Sequence, residues 1–249
     1  MHFHLPKPLH GWRAFIGEVG IIVIGVLIAL GAEQVVERFH ERSVAEGARS
    51  AIKAEFNNDL AALAVRERAE GCIDRRLGEL QGLLATWART GRFITPGWIG
   101  APLATVIELT RYDAAVSAGR LALLDSDEQY RMGAIAHQLR FFSDTQVEER
   151  QVWGRLRALH AGSDALSTTD RAQLRIALQD ALTLDYVARL EIQQTIPRAR
   201  DFGFRPDFAI YHQTSSRVMK DRNGAALICS PIQTPAAQAE KILVTPMPL

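Results

Sequence analysis

The sequence predicts an all-α fold: one N-terminal transmembrane helix that continues into an antiparallel helical bundle, with an irregular C-terminal tail. Three observations predict it. Val19 to Ala32 contains no charged residue, in a chain that is 23% charged overall. Beyond it, apolar residues recur at helical rather than alternating spacing. After Pro8 no proline occurs until Pro96, whereas prolines at 206, 231, 235, 246 and 248 punctuate the end. The resulting division is a cytoplasmic tail at 1–13, a transmembrane helix at 14–36, a helical bundle at 37–203 and a largely irregular tail at 204–249.

With 249 residues, of which 47% are hydrophobic, the composition taken as a whole is that of an ordinary globular protein. A mean hydropathy of -0.03 conceals the apolar run. It also limits the chain to one crossing, which excludes a polytopic channel or transporter. Lys plus Arg number 29 against 28 Asp plus Glu, a net charge of +1. Such a chain has no basic field to hold nucleic-acid phosphates, so no nucleic-acid partner is expected.

The first element runs from Ala14 to Val36. At 1.5 Å per residue these 23 residues cover about 35 Å, enough for a hydrocarbon core of about 30 Å. The strictly uncharged stretch covers about 21 Å, which places Glu18 and Glu33 at the two membrane rims, where snorkelling and local thinning keep their cost modest. They are expected to anchor the rims rather than to conduct ions. A signal peptide cleaved near Ala29-Leu30-Gly31 is the alternative. The stretch Ala32 to His40 holds no helix breaker, however, so an uncleaved signal anchor is the expectation. A lipoprotein is excluded because no cysteine lies near that site. A buried core helix is disfavoured by the Ile/Val/Leu density interleaved with Gly20, Gly25 and Gly31. Lys7 and Arg13 before the run nearly balance Arg38, Arg42 and Arg49 after it, so orientation is taken from the short, acid-free leading segment: N-terminus inside, bulk outside. In a bacterium this means the inner membrane, with the C-terminal domain in the periplasm. Gly25 and Ala29 form a small-xxx-small pair that would let two membrane helices approach closely, so a homodimer through the span is one expected partnership besides the lipid bilayer.

The bundle follows directly. Ile52, Phe56, Leu60 and Leu63 share one stripe, and Ile73, Leu77, Leu80, Leu84 and Trp87 repeat at 4-3-4-3 spacing, as in a helix seam. The polar interval Arg66 to Gly71 between them is expected to face solvent or mark a bend. Gly91, Pro96, Gly97, Gly100 and Pro102 break the helix, and residues 93 to 107 form a packed loop leading to a short helix near Leu103 to Tyr112. Asp125 with Glu128 has capping spacing and opens a long helix lined by Ile135, Leu139, Phe142, Val152, Leu156 and Leu159. Ser167 with Asp170 opens the last helix, through Leu174, Leu178, Leu182, Tyr186 and Leu190 to an end at Pro197. In the tail, Asn223-Gly224 could seed a small hairpin.

Candidate chemistry is sparse. Glu37-x-x-His40 has the spacing of di-iron carboxylate bundles, but no second copy of the motif exists, so a solvated face is expected and no metal. His137 and His160 have no neighbouring nucleophile arranged for catalysis. Walker A, G-x-G-x-x-G and H-E-x-x-H motifs are absent. Asp144, Glu148, Glu149, Arg140 and Arg150 read as an exposed mixed-charge run. Cys72 and Cys229 are expected to be unconnected thiols, one long-range disulfide in an oxidising compartment being the alternative.

The segment Trp12 to Gly31, WRAFIGEVGIIVIGVLIALG, resembles the start of a family of uncharacterised bacterial single-pass membrane proteins. So does Tyr112 to Leu124, YDAAVSAGRLALL, which is similar to that family's aromatic, small-residue, Leu-rich corner before a long helix. The resemblance spans about the first two hundred residues and implies an anchored helical domain. The functional expectation is a non-enzymatic, cofactor-free, membrane-anchored scaffold or interaction module with an unknown protein partner. The alternative is a periplasmic ligand-sensing domain that signals to a partner through the membrane helix.

Overall fold

The computed structural model describes residues 12–209, 211, 226–235 and 238. All regular structure among them is helical. Five α-helices, α1 (Trp12–Arg68), α2 (Glu70–Thr90), α3 (Thr110–Ser117), α4 (Ser126–Leu156) and α5 (Thr168–Asp201), are joined by short 3-10 turns at Arg120–Leu123, Arg157–Ala161 and Ser163–Ala165. A further 3-10 turn, Ala226–Cys229, lies in the tail. The leading segment before Trp12 and the Asn223-Gly224 turn lie outside the described residues.

Side-chain pairings give the directions. Arg49 of α1 meets Glu128 of α4, and Arg66 meets Glu149 further along both, so α1 and α4 run parallel. Arg66 also meets Asp185 of α5, whereas Asp74 of α2 meets Arg189 and Trp87 of α2 lies under Arg171, so α5 descends antiparallel to the others. The α1–α2 rod, α4 and α5 therefore form a three-helix bundle. The connection from Gly91 to Asp125, carrying α3, must return the length of that bundle. Gly91, with φ of 68°, makes the left-handed turn that ends α2.

The hydrophobic interior has two parts arranged along the rod. Ile52, Phe56, Leu60 and Leu63 of α1 pack with Ile135, Leu139 and Phe142 of α4 and Ile192 of α5 near the α1 end. Ile73, Leu77, Leu80, Leu84 and Trp87 of α2 pack with Trp153 and Leu156 of α4 and Leu174 and Leu178 of α5 at the far end. Both stripes are buried as their spacing predicts. The two later helix starts also hold: Asp125 accepts the Glu128 N–H, and Ser167 and Asp170 form a full capping box.

Three expectations need correction. The short helix begins at Thr110, because the Glu55 carboxylate from α1 receives the Arg111 and Tyr112 N–H groups at 2.8 and 2.9 Å and so fixes its first turn. Helix α5 runs through Pro197 to Asp201; the missing N–H falls on the exposed face near the helix end, where the carbonyl four residues back can be solvated. Finally, Tyr186 and Leu190 do not line the inner side of α5 but are 64% and 37% exposed. The buried face is built instead from Leu174, Ala177, Leu178, Ala181, Asp185, Ala188, Ile192, Thr195 and Ala199.

Candidate functional site

Helix α1 contains 57 residues, about 85 Å at the α-helical rise. Only its second half belongs to the bundle, where burial begins at Val44 and Ala45. The first half has an 18-residue window of mean hydropathy 2.4, none of it buried. This is one N-terminal helix long and apolar enough to cross a membrane. Phe15, Ile16, Val19, Ile21, Ile22, Val23, Ile24, Val26, Leu27, Ile28 and Leu30 are all exposed around it. In water such a surface would be costly, while in lipid each Leu, Ile, Val or Phe contributes about 0.3 to 0.6 kcal/mol near the helix centre. Were this half to span a bilayer, eleven such residues would outweigh the cost of Glu18 and Glu33 near its two ends.

Glu18, Gly25, Ala29 and Glu33 all lie exposed on this half. Gly25 stands 27 positions before Ile52, and at about 100° per residue that is half a turn out of phase. The Gly25 and Ala29 pair therefore projects from the side of α1 opposite the bundle core, and a Cβ at Gly25 would meet nothing within 4 Å. Glu37 and His40 are exposed on the stretch of α1 between its apolar half and the bundle. No group of three or more candidate ligands for a metal ion occurs among the described residues.

The bundle carries polar groups that apolar periodicity alone did not reveal. Arg66, expected on a solvated interval, is 1% exposed. The chain does bend there, at Ala69 between α1 and α2, but the bend is internal. Arg66 Nη2 donates to Glu149 Oε1 at 2.9 Å and to Asp185 Oδ1 at 3.3 Å. Arg189 donates to Asp185 Oδ2 at 2.7 Å and to Asp74, and lies 3.8 Å from Glu70. Two guanidinium groups thus face four carboxylates across α1, α2, α4 and α5. Burial pushes the Glu149 carboxyl upward against the opposing pull of Arg66, and it pushes Glu70 the same way against Arg189. Glu149 is consequently no member of an exposed run; it is 3% exposed because its partner Arg66 comes from the other side of the core.

Asp59, one turn beyond Glu55 on α1, is fully buried. Its Oδ1 receives the Glu108 N–H at 3.4 Å, and its Oδ2 has no hydrogen-bond partner among the described residues. Burial drives its pKa up to about 8, with the Glu108 N–H opposing and the Glu55 charge adding to the rise.

The tail corrects a further expectation. Cys72 and Cys229 form a disulfide, closing a sequence separation of 157 residues with Cα atoms 4.7 Å apart. The spacing of two distant cysteines carried no sign of it. What brings them together is the tail's route. Asp207 N–H bonds to Asn57 O at 2.8 Å, Phe208 lies under Arg68, and Ile228 and Ile232 are buried against α2. Fully buried Arg76, one turn beyond Cys72, donates to the carbonyls of Trp98 and Ile99 in the return loop and of Ile228 and Ser230 in the tail. The Gly97 and Trp98 N–H groups both donate to Ile232 O, at 2.8 and 3.0 Å. A side chain at Gly97 would collide with Thr234 O at 2.5 Å, which explains the glycine.

His160 has a structural role in the same region. Its Nε2 accepts the Ile99 N–H at 3.3 Å, which leaves Nδ1 to donate to Pro96 O at 3.2 Å. It is a clamp on the return loop. His137 is exposed on α4.

One signal could have located the buried charges. Asp59 and Arg66 each follow an apolar stripe residue, Phe56 and Leu63, at i+3, and Arg76 follows Ile73 in the same way. A charge in phase with a buried stripe is a candidate for pairing rather than for solvent. Compared with protein-family models, with curated proteins and with solved structures, the chain finds no match.

Proposed function

We propose that the protein is a single-pass membrane protein whose helical bundle, held outside the cytoplasm by α1, serves as a non-enzymatic scaffold or interaction module. The observation that carries this reading is the bare apolar half of α1, continuous with the bundle core and covered by nothing among the described residues. The resemblance of Trp12 to Gly31 to the start of single-pass bacterial proteins points the same way. The Cys72–Cys229 disulfide favours an oxidising compartment, which agrees with an N-terminus inside and the bundle in the periplasm. Support for a non-enzymatic role comes from the buried polar groups: Glu55 caps a helix, Arg66 and Arg76 brace packed elements, and His160 holds a loop.

The test is a reporter that folds only in an oxidising compartment, fused after Leu249 of the full chain, together with alkaline extraction of membranes. Activity of the reporter and retention in the membrane pellet are expected. An inactive reporter would overturn the orientation, and release from the pellet would overturn the anchor.

A further inference from the structure

The solvent side of α5 carries a second seam. Ile176, Gln179, Thr183, Tyr186, Leu190 and Gln193 are spaced 3-4-3-4-3, the heptad spacing of a packing stripe, on the face opposite the buried residues of the same helix. None of the six is charged, although the stripe is about 26 Å long and points to water. Ile176 is 61% and Tyr186 64% exposed. The corresponding outer stripe of α4 is ordinary by contrast, with Asp144, Glu148 and Arg155 on it. The described tail runs along α1 and α2 and leaves this face of α5 open.

We propose that this face is where a second copy of the chain docks, as a parallel pair of α5 helices. Two observations select that occupant. On the reading of α1 as a membrane anchor, which this inference rests on, all copies stand in the same orientation in one membrane. A two-fold axis along the membrane normal then brings α5 against α5 in parallel, with like residues at like heights. The charges flanking the seam complement one another in this arrangement. Arg175, just before the Ile176 position, stands opposite Asp180 of the other copy, the pairing of flanking heptad positions in a parallel coiled coil; Asp180 already receives Arg155 of its own α4 at 3.1 Å and, being partly exposed, would share its carboxylate between the two guanidinium groups. The polar Gln179, Thr183 and Gln193 in the seam fix register at a cost in stability, so the contact is weak and depends on confinement in the membrane to raise the effective concentration.

The test uses the full-length protein in native membranes. Cys72 and Cys229 are disulfide-bonded, so each of Ile176→Cys, Tyr186→Cys and Leu190→Cys supplies one free thiol, and Asp144→Cys on the outer face of α4 is the control. Mild oxidation is expected to convert each α5 variant into a covalent dimer of twice the chain mass, at least fivefold more than the control. Arg175→Asp should reduce dimer formation by Ile176→Cys about twofold, whereas Arg175→Lys, which keeps the charge, should leave it unchanged. Equal cross-linking in the control, or an adduct with another protein, would overturn the proposal. So would loss of the α5 cross-links on Gly25→Leu, because the contact would then belong to the membrane helix. Fractionation of the same samples tests the anchor separately. Soluble protein that still cross-links at like positions loses the anchor and keeps the seam, whereas membrane-bound protein without cross-links loses the seam alone.

Discussion

Asp59→Asn should make the bundle more stable above neutral pH, and the structure gives the size of the effect. The carboxyl is fully buried, its Oδ2 has no hydrogen-bond partner among the described residues, and burial raises its pKa from 3.8 to about 8 against the pull of the Glu108 N–H and the Asn58 side chain. Because the folded value lies above the unfolded one, folding takes up a proton between about pH 4 and pH 8. This contribution to stability is fully present at low pH, falls as pH rises through that window and levels off above it. Each unit is worth about 1.4 kcal/mol, which sets a ceiling of about 6 kcal/mol for the whole shift and about 4 kcal/mol at pH 7. Local relaxation and water penetration lower the realised value, so about 2 to 4 kcal/mol is expected at pH 8. Asparagine has the shape of the neutral acid, can still accept the Glu108 N–H and does not ionise. Thermal and urea unfolding of the full-length protein, followed by far-UV circular dichroism, should show wild type and variant nearly coincident at about pH 4. They should diverge by about 4 to 16 °C at about pH 8, taking 2 to 4 °C per kcal/mol for a domain of this size. A variant less stable than wild type at pH 8, or a difference that does not change with pH, would refute the reasoning.

The remaining predictions concern the braces and the anchor. Arg66→Ala leaves Glu149 and Asp185 buried without their shared partner and should cost about 3 to 5 kcal/mol in urea unfolding, with Glu149→Gln costing less because burial already pushes that carboxyl toward its neutral form. Cys72→Ser reopens a loop of 157 residues; chain entropy alone sets a loss of about 5 kcal/mol, and a denaturation midpoint unmoved by the mutation or by reductant would show that the tail is held without the bond. Val26→Lys puts a charge near the centre of the apolar half of α1 at a cost of about 2.5 to 3.5 kcal/mol, and should shift the protein from the membrane pellet toward the soluble fraction.

Much of the fold was legible because apolar spacing reports burial directly. The stripes at Ile52 to Leu63 and Ile73 to Trp87, and the capping residues Asp125 and Ser167, depend on contacts within a few turns of helix. What was not legible depends on distant chain. The start of α3 is set by Glu55, more than fifty residues away, and the burial of Glu149 by Arg66. Tyr186 and Leu190 misled because α5 has two stripes. Its inner one is built largely from alanines, which admit close helix packing but give weak apolar signal, while the larger side chains lie outside. The tail misled for a related reason: Ile228 and Ile232 are too few to make a core, yet they complete one that α2 and the return loop have already built.

The placement of the braces bears on how the bundle could respond to its anchor. From the apolar half to Arg68, α1 is one unbroken helix, so tilt or rotation imposed in the membrane would reach the bundle core with little loss. The first break is at Ala69, and it is there that Arg66, Glu70, Asp74, Asp185 and Arg189 converge, with Cys72 and Arg76 fastening the tail one to two turns further on. Of these, Arg66 and Asp185 are buried together with Glu149, so pulling them apart would leave charge stranded in the core. The joint between α1 and the outer half of the bundle therefore gathers ion pairs, a disulfide and the Arg76 bonds to the tail in one place, which favours a rigid connection over a hinge.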